Sequence, residues 1–138
     1  MARLLHDFNR EFDEPSPGVE FLARRVAELI AAEEVTVLLA GERPDGLAQL
    51  RFRPSVWEDA LEAYLQELYV VPDLRGQGIG RALLEAAMEA AREAGATFID
   101  LDTSEDDKAA MALYESAGFI NREGGPDGPI MYAYERDL

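Results

Sequence analysis

A chain of 138 residues, 48% of them hydrophobic and 30% charged, is long enough to bury its own core and leaves little room for a second domain. The absence of cysteine excludes a disulfide framework, a thiolate nucleophile and a cysteine zinc site. The formal net charge of −15 disfavours nucleic acid and anionic membranes as partners, because both are bound through basic surfaces, and it favours the approach of a cationic small molecule.

The first half of the chain passes from helical to extended patterns. Apolar residues recur at helical spacing over 4–12 and, after a start signal at Ser16-Pro17, over 21–30. The apolar runs at 35–40 and 47–52 are typical of strands, and the turn residues between them predict an antiparallel hairpin. The chain is therefore predicted to begin with two helices and a hairpin.

The second half predicts a strand–helix–strand unit, a further helix and a final hairpin. The elements are, in order, a strand over 64–71, a helix over 79–94, a strand over 97–102, a helix over 106–116 and paired strands over 119–122 and 130–135. Gly95 and Gly118 are placed to end the two helices, and Ser104 suits the N-terminus of the second. This order predicts one mixed-sheet α/β domain rather than a doubly wound one.

The segment 75–80, which reads Arg-Gly-Gln-Gly-Ile-Gly, predicts a phosphate site between a buried strand and a helix. Glycines let the backbone approach a ligand, and the first amides of a helix lack internal partners at the positive end of its dipole. Arg75 would add a full positive charge, so the segment suits a pyrophosphate. The chain has Gly80-Arg81-Ala82 where a Walker loop ends in Gly-Lys-Ser/Thr, and its glycine spacing is not G-x-G-x-x-G. A connection that binds no ligand is the structural alternative.

Two motifs resemble those of the GNAT (GCN5-related) N-acetyltransferase family. The segment 75–80 matches Q/R-x-x-G-x-G/A, and Leu113-Tyr114 followed by Gly118-Phe119 matches L-Y-x-x-x-G-F about 30 residues later. The resemblance implies a single N-acetyltransferase domain over 1–138. Its fold would be a mixed, largely antiparallel sheet flanked by helices, with a splayed parallel strand pair. Family members begin with a strand ahead of the first helix, whereas the helical pattern here starts within a few residues of Met1. By the resemblance, either the true start lies upstream or this chain has lost an edge strand.

The resemblance also implies an acyltransferase that moves an acetyl group from acetyl-CoA, its cosubstrate, to the amine of a small cationic acceptor by direct transfer, without a metal. The backbone of Leu68, Tyr69 and Val70 would bind the pantetheine arm. The residues implied for the pyrophosphate are Arg75, Gly76, Gln77, Gly78, Ile79 and Gly80. Asp107 stands where the family commonly has asparagine and would lie near the pantetheine; it could equally be an acidic residue that complements a helix dipole. The alternative function is a catalytically silent acyl-CoA-binding sensor or accessory module.

Three side chains are candidates for moving protons. Tyr114 stands where the family places a tyrosine that reaches the CoA sulfur, which implies a general acid. Glu67 is the carboxylate of the predicted strand 64–71, and Tyr64 occupies a position that some family members use for the base. Which of the two faces the acceptor depends on strand twist or a bulge that the sequence does not show. A backbone amide near Leu68 would stabilise the oxyanion.

Two surfaces are also predicted from the sequence. The loop 53–63, which contains Trp57, Glu58, Asp59 and Glu62, offers an aromatic ring and acids for a cationic acceptor, or is simply a solvated acidic loop. The missing first strand would leave the edge of the hairpin unpaired, which predicts a homodimer. No membrane span or signal peptide is present in the sequence, so the protein is expected to be cytoplasmic.

Overall fold

Four helices and four strands make up the computed structural model, which describes all residues from Met1 to Leu138. The helices are α1 (Ala2–Glu11), α2 (Val19–Ala31), α3 (Ile79–Glu93) and α4 (Lys108–Ser116), and the strands are β1 (Thr36–Ala40), β2 (Gly46–Pro54), β3 (Leu61–Val70) and β4 (Ala96–Asp100). Residues 1–101 and 102–138 form two compact units. None of the helices combines the length and hydrophobicity that a bilayer span requires.

The sheet lies in the first unit, with strand order β1-β2-β3-β4. The first two pairings are antiparallel and the third, between β3 and β4, is parallel. This confirms the predicted mixed, largely antiparallel sheet. No strand of this chain precedes α1, so β1 has a partner on one side only. The predicted homodimer, which would use such an edge, stays a prediction.

The parallel pair β3–β4 separates partway along its length. Pairing runs from Leu61 opposite Ala96 to Tyr64 opposite Asp100, whereas β3 continues to Val70. Beyond Tyr64, β3 is therefore paired only with β2. This confirms the predicted splayed pair and leaves one edge of β3 open at its C-terminal half.

A β-bulge in β3 changes which side chains share a face of the sheet. Leu65 pairs with Leu50 and Glu67 pairs with Gln49, so Gln66 is an extra residue without an opposite partner on β2. In a regular strand, residues three apart point to opposite faces. Because of the bulge, Tyr64 and Glu67 instead lie on one face, that of their β2 partners.

Helices cover both faces of the sheet. Helix α3 packs against β2 and β3 and buries Leu83, Leu84, Ala87 and Ala91. A Cβ atom on Gly46 would lie 2.9 Å from Leu83 Cδ1 and 3.0 Å from the Tyr69 carbonyl oxygen, so the close approach of α3 to β2 at this position requires glycine. The neighbouring Leu47 points to the opposite face, where it packs with Leu4 and Leu5 of α1 and Val26 of α2.

Several boundaries in the first unit differ from the sequence prediction, and the starts of α2 and β3 have a structural cause. Helix α2 begins at Val19 with Gly18 as its N-cap, because the Ser16 hydroxyl is bonded to the His6 ring and the Gly18 amide instead. Phe21 and Ile30 of the predicted buried face are 43% and 47% exposed. Strand β3 starts at Leu61, three residues before the predicted start, since its pairing with β2 and β4 overrides the local composition.

The second unit contains α4 and a single antiparallel bridge. The Asp107 carboxylate caps α4 by accepting a hydrogen bond from the Ala110 amide at 2.9 Å, and Gly118, with φ of +91°, follows the helix. The predicted final hairpin is wrong in extent, because only Arg122 and Ile130 pair and residues 131–138 are exposed. An isolated two-stranded ribbon is marginal without a face to bury.

Candidate functional site

The loop between β3 and α3 presents backbone amides that have no partner in the protein. The Ala82 amide makes a helical bond to the Gly78 carbonyl at 3.0 Å, whereas the amides of residues 76–80 donate to no protein group. Gly76 and Gly78 have φ of +74° and +88°, a region that favours glycine. Open amides at the positive end of a helix dipole form an anion site, so the loop fits the predicted pyrophosphate.

The Arg75 guanidinium is held within the protein. Its two terminal nitrogens donate to the two Glu11 carboxylate oxygens at 2.6 and 2.8 Å, and Nε donates to the Val70 carbonyl at 2.8 Å. The Tyr69 ring lies 5.5 Å from the guanidinium carbon. The hydrogen bond from Arg75 lowers the pKa of the Glu11 carboxyl group. The positive charge of Arg75, which was predicted to bind the pyrophosphate, is therefore already paired with Glu11. The attraction for an anion at this loop rests on the backbone amides and the helix dipole.

Replacing Glu11 with glutamine is expected to lower the melting temperature at pH 7 by about 2–4 °C, the equivalent of about 1 kcal/mol or less for a partly exposed pair. Because the folded pKa of Glu11 is lowered, its contribution is complete above the unfolded value of about 4.3 and is lost as the pH falls through the folded value. Thermal unfolding of both proteins between pH 3 and 7 checks this.

The matched control is Glu89→Gln, which breaks an exposed pair between Glu89 and Arg92 within α3 and should leave the melting temperature unchanged. Equal melting temperatures for wild type and Glu11→Gln at every pH would show that the Glu11–Arg75 pair does not stabilise the fold.

The open edge of β3 exposes backbone groups of two of the three residues predicted to bind pantetheine. The Val71 amide donates to the Asp45 carbonyl at 2.9 Å, so residue 71 points towards β2. Backbone groups alternate along a strand, which directs Tyr69 to β2 and directs Leu68 and Val70 to the open side, where the Val70 carbonyl already accepts a hydrogen bond from Arg75 Nε. The Tyr69 backbone thus lies in the β2–β3 ladder, while its ring is buried and 5.2 Å from the Phe8 ring.

Five side chains define what we call the polar face of the sheet: Gln49, Arg51, Tyr64, Gln66 and Glu67. The Gln66 side-chain oxygen accepts hydrogen bonds from Gln49 Nε2 at 3.1 Å and from Arg51 Nε at 2.5 Å. Sequence reasoning missed Gln49, Arg51 and Gln66. The alternation of polar residues within 47–52 was a signal for the first two, but the position of Gln66 depends on the bulge.

Glu67 is a desolvated carboxyl group on this face. No hydrogen bond or ion pair reaches its side chain, and burial raises its pKa to about 7. A carboxyl group with this pKa is half ionised near neutral pH and can accept a proton there. Tyr64 lies on the same face, since both side chains follow the pairing with β2. The structure therefore brings the two candidate bases together.

Carboxylates elsewhere on the sheet are already paired. Arg53 Nε donates to Glu62 at 2.8 Å and its Nη2 donates to Asp100 at 3.2 Å, and the hydrogen bond from Arg53 lowers the pKa of Glu62.

Trp57, in the loop predicted to receive the acceptor, is 89% exposed. No group of three or more His, Asp or Glu side chains is arranged to hold a metal ion.

Tyr114 and Asp107 belong to the second unit. Burial, followed by the negative charge of Asp107, raises the pKa of Tyr114 to about 12, so its hydroxyl stays protonated at neutral pH. The Tyr114 ring lies 6.0 Å from the Phe119 ring. The Asp107 carboxylate serves as the α4 cap, and its predicted contact with pantetheine stays a prediction.

Comparison with known proteins identifies relatives across most of the chain. The model of the acetyltransferase (GNAT) family matches residues 1–119. An aminoglycoside N(6′)-acetyltransferase type 1 of Klebsiella aerogenes is 39% identical over 72% of this chain and 66% of its own length. A mycothiol acetyltransferase of Nocardiopsis dassonvillei is 42% identical over 51% of this chain. The chain spans 21% of that relative's length.

One further relative and one solved structure are similar to this protein over nearly the whole chain. A thialysine N-epsilon-acetyltransferase of Caenorhabditis elegans is 26% identical over 88% of this chain and 76% of its own length. The crystal structure of a candidate acetyltransferase from Arthrobacter sp. FB24 superposes with a TM-score of 0.89 at 46% identity, covering 99% of this chain and 87% of that one.

Proposed function

This chain belongs to the acetyltransferase (GNAT) family, and on that premise we propose that it transfers an acetyl group from acetyl-CoA to the amine of a small acceptor that is cationic at this amine. The relatives named for aminoglycoside, thialysine and mycothiol acetylation support acetyl transfer and differ in acceptor. The observation that carries the proposal is the Glu67 carboxyl group, desolvated to a pKa of about 7 beside the open edge of β3.

The proposed acetyl-CoA site follows the splayed strand and the glycine loop. The open amides of residues 76–80 would bind the pyrophosphate, and the Leu68 backbone together with the Val70 amide would bind the pantetheine arm. Both sets are main-chain groups, which explains how a chain with a net charge of −15 would hold a polyanionic cosubstrate. Tyr69 would act indirectly, by supporting β3 through its buried ring.

Glu67 would act as the general base, directly or through a water. A primary ammonium has a pKa of about 10.4, so transfer of its proton to an ordinary carboxyl group of pKa about 4.3 is uphill by about 8 kcal/mol. With the Glu67 pKa at about 7, the same transfer is uphill by about 5 kcal/mol. Burial of Glu67 thus lowers the cost of forming the free amine. Tyr64 is the second candidate.

The proposed transfer is direct. Glu67 would take one proton from the ammonium, and the amine so formed would bond through its nitrogen to the acetyl carbonyl carbon. The carbon–sulfur bond then breaks to release the CoA thiolate, and the second proton leaves the nitrogen to solvent or restores the Tyr114 hydroxyl. The Leu68 amide, which faces the open side of β3, would donate a hydrogen bond to the oxyanion. Tyr114 would donate its proton to the leaving sulfur.

Replacing Tyr114 with phenylalanine is expected to lower kcat by about 10- to 100-fold, the loss of a hydrogen bond to a developing charge, with little change in KM for acetyl-CoA. The effect is moderate because a proton on a phenol of pKa about 12 moves uphill to a thiolate of pKa about 8.5. Steady-state kinetics at saturating acceptor measure it. Tyr132→Phe, at a tyrosine that is 73% exposed, is the control, and an unchanged kcat for Tyr114→Phe would remove this residue from the mechanism.

Release of CoA thiol from acetyl-CoA in the presence of amines tests the proposed function as a whole. Polyamines, aminoglycosides, amino acids and peptide N-termini form the first acceptor panel, assayed between pH 7 and 9. Stabilisation by acetyl-CoA without thiol release for any amine would favour a silent acyl-CoA-binding module. Absence of any stabilisation by millimolar acetyl-CoA would contradict both functions.

A further inference from the structure

Arg51 differs from every other arginine of the first unit. It is the one arginine in residues 1–101 whose side chain is half-buried rather than exposed. Arg53 and Arg75 each bind carboxylates, whereas no carboxylate lies within ion-pair distance of Arg51. Its Nε donates to Gln66, and its two terminal nitrogens have no acceptor in the protein. No buried side-chain nitrogen in the protein lacks a partner, so these two nitrogens reach solvent and are accessible to an anionic ligand.

The orientation of Arg51 is fixed by its neighbours. The Gln66 side-chain oxygen accepts from both Gln49 and Arg51, and Gln49 is only 5% exposed. The bond at Nε leaves the terminal nitrogens of the guanidinium available as a planar pair of donors. This arrangement matches the two oxygens of a carboxylate, which arginine binds through two parallel hydrogen bonds.

The pyrophosphate of acetyl-CoA, if bound at the glycine loop, would be too far from Arg51 to pair with its guanidinium group. Arg51 lies opposite Tyr64, and the glycine loop begins beyond Val70 at the end of β3. Six residues of extended strand span about 20 Å. An anion bound by Arg51 would therefore belong to a different molecule. Arg51 shares the polar face with the candidate base Glu67.

We infer that Arg51 binds a carboxylate of the acceptor, so that the acceptor is an amino acid whose reactive amine and carboxylate are several bonds apart. The inference rests on the proposed function. Glu67 lies opposite Gln49, and Gln49 and Arg51 are two residues apart on β2, a distance of about 7 Å. This is the spacing of the backbone positions from which the two side chains leave the same face, and an acceptor that contacts both through separate groups needs its amine and its carboxylate several bonds apart, as in an ω-amino acid.

The test compares acceptors that differ only in the carboxylate. Thiol release is measured with β-alanine, 4-aminobutyrate, 5-aminovalerate and 6-aminohexanoate and with the n-alkylamines of the same chain lengths. For the longer ω-amino acids we expect kcat/KM to exceed that of the matched alkylamine by about 10- to 100-fold. Arg51→Gln should abolish this ratio and Arg51→Lys should retain part of it. Arg53→Gln, at a paired and exposed arginine, should leave the ratio unchanged.

A binding measurement separates this inference from the proposed function. Calorimetry with the CoA-bound protein compares N-acetyl-5-aminovalerate with its methyl amide, and we expect tighter binding of the carboxylate in wild type but not in Arg51→Gln. Equal binding of both ligands, or equal turnover of amino acids and alkylamines, would overturn the carboxylate site while acetyl transfer to alkylamines would stand. Arg51-dependent binding without any thiol release would support the carboxylate site and contradict the proposed function.

Discussion

Replacing Glu67 with glutamine is expected to lower kcat/KM by about 10²–10³-fold, the usual contribution of a general base. The active form of Glu67 is the carboxylate, and its pKa is about 7. Wild-type kcat/KM should therefore rise with pH through a midpoint near 7. The variant should lose this limb and keep only the rise at higher pH that follows deprotonation of the acceptor's ammonium group in solution. A pH–rate profile from pH 5.5 to 9.5 measures both.

Protein stability distinguishes a lost base from a damaged fold. Burial raises the pKa of Glu67, so ionising this group costs folding free energy, and the cost grows as the pH rises above the unfolded value. Glu67→Gln should therefore melt at a higher temperature than wild type at pH 8 while being less active. Glu62→Gln, which changes a carboxylate of the same strand, should keep the limb near pH 7. Retention of that limb in Glu67→Gln would transfer the role of base to another group, with Tyr64 the first candidate.

Replacing Gly78 with valine is expected to raise the dissociation constant of acetyl-CoA by at least about 10-fold. Gly78 caps α3 with φ of +88°, and a side chain in this region costs about 1–2 kcal/mol. The loop is expected to relieve this strain by turning its amides away from the positions that a pyrophosphate needs. Calorimetric titration with acetyl-CoA measures the change.

Gly95 provides a matched control at the other end of α3. Its φ is +90°, and a Cβ atom added at either glycine would have no neighbouring atom within 4 Å, so valine introduces the same kind of strain at both sites. Gly95→Val should lower the melting temperature and leave the affinity for acetyl-CoA unchanged. Equal affinities for Gly78→Val and wild type would contradict a pyrophosphate site at residues 76–80.

The parts of the site that could be predicted from sequence are those encoded in a short segment. The spacing of the glycines in the loop 75–80 can be read from the sequence. Its open amides follow from the start of a helix at Ile79. Tyr114 and Asp107 could be proposed as site residues because they belong to one local helix motif. The helical and extended runs likewise predicted most elements, although the final hairpin was wrong because a strand pattern forms no strand without a partner.

The remaining parts depend on contacts between distant segments. Glu11 and Arg75 are 64 residues apart, and no local pattern indicates their pairing. The bulge at Gln66 exists only as a mismatch between β2 and β3. It places Glu67 on the face of Arg51, and the extra residue in a strand becomes visible only when its neighbour is aligned with it.

The pairing of Arg75 with Glu11 has a consequence for how the surface of this protein can change over evolutionary time. An anion site made from main-chain amides is supplied by the chain conformation, which many sequences can adopt, and not by a set of positive side chains. Substitutions that make the exterior more acidic would then accumulate without weakening the binding of acetyl-CoA. The surface could therefore adapt to a medium of different ionic strength while the proposed acetyl-transfer activity is kept.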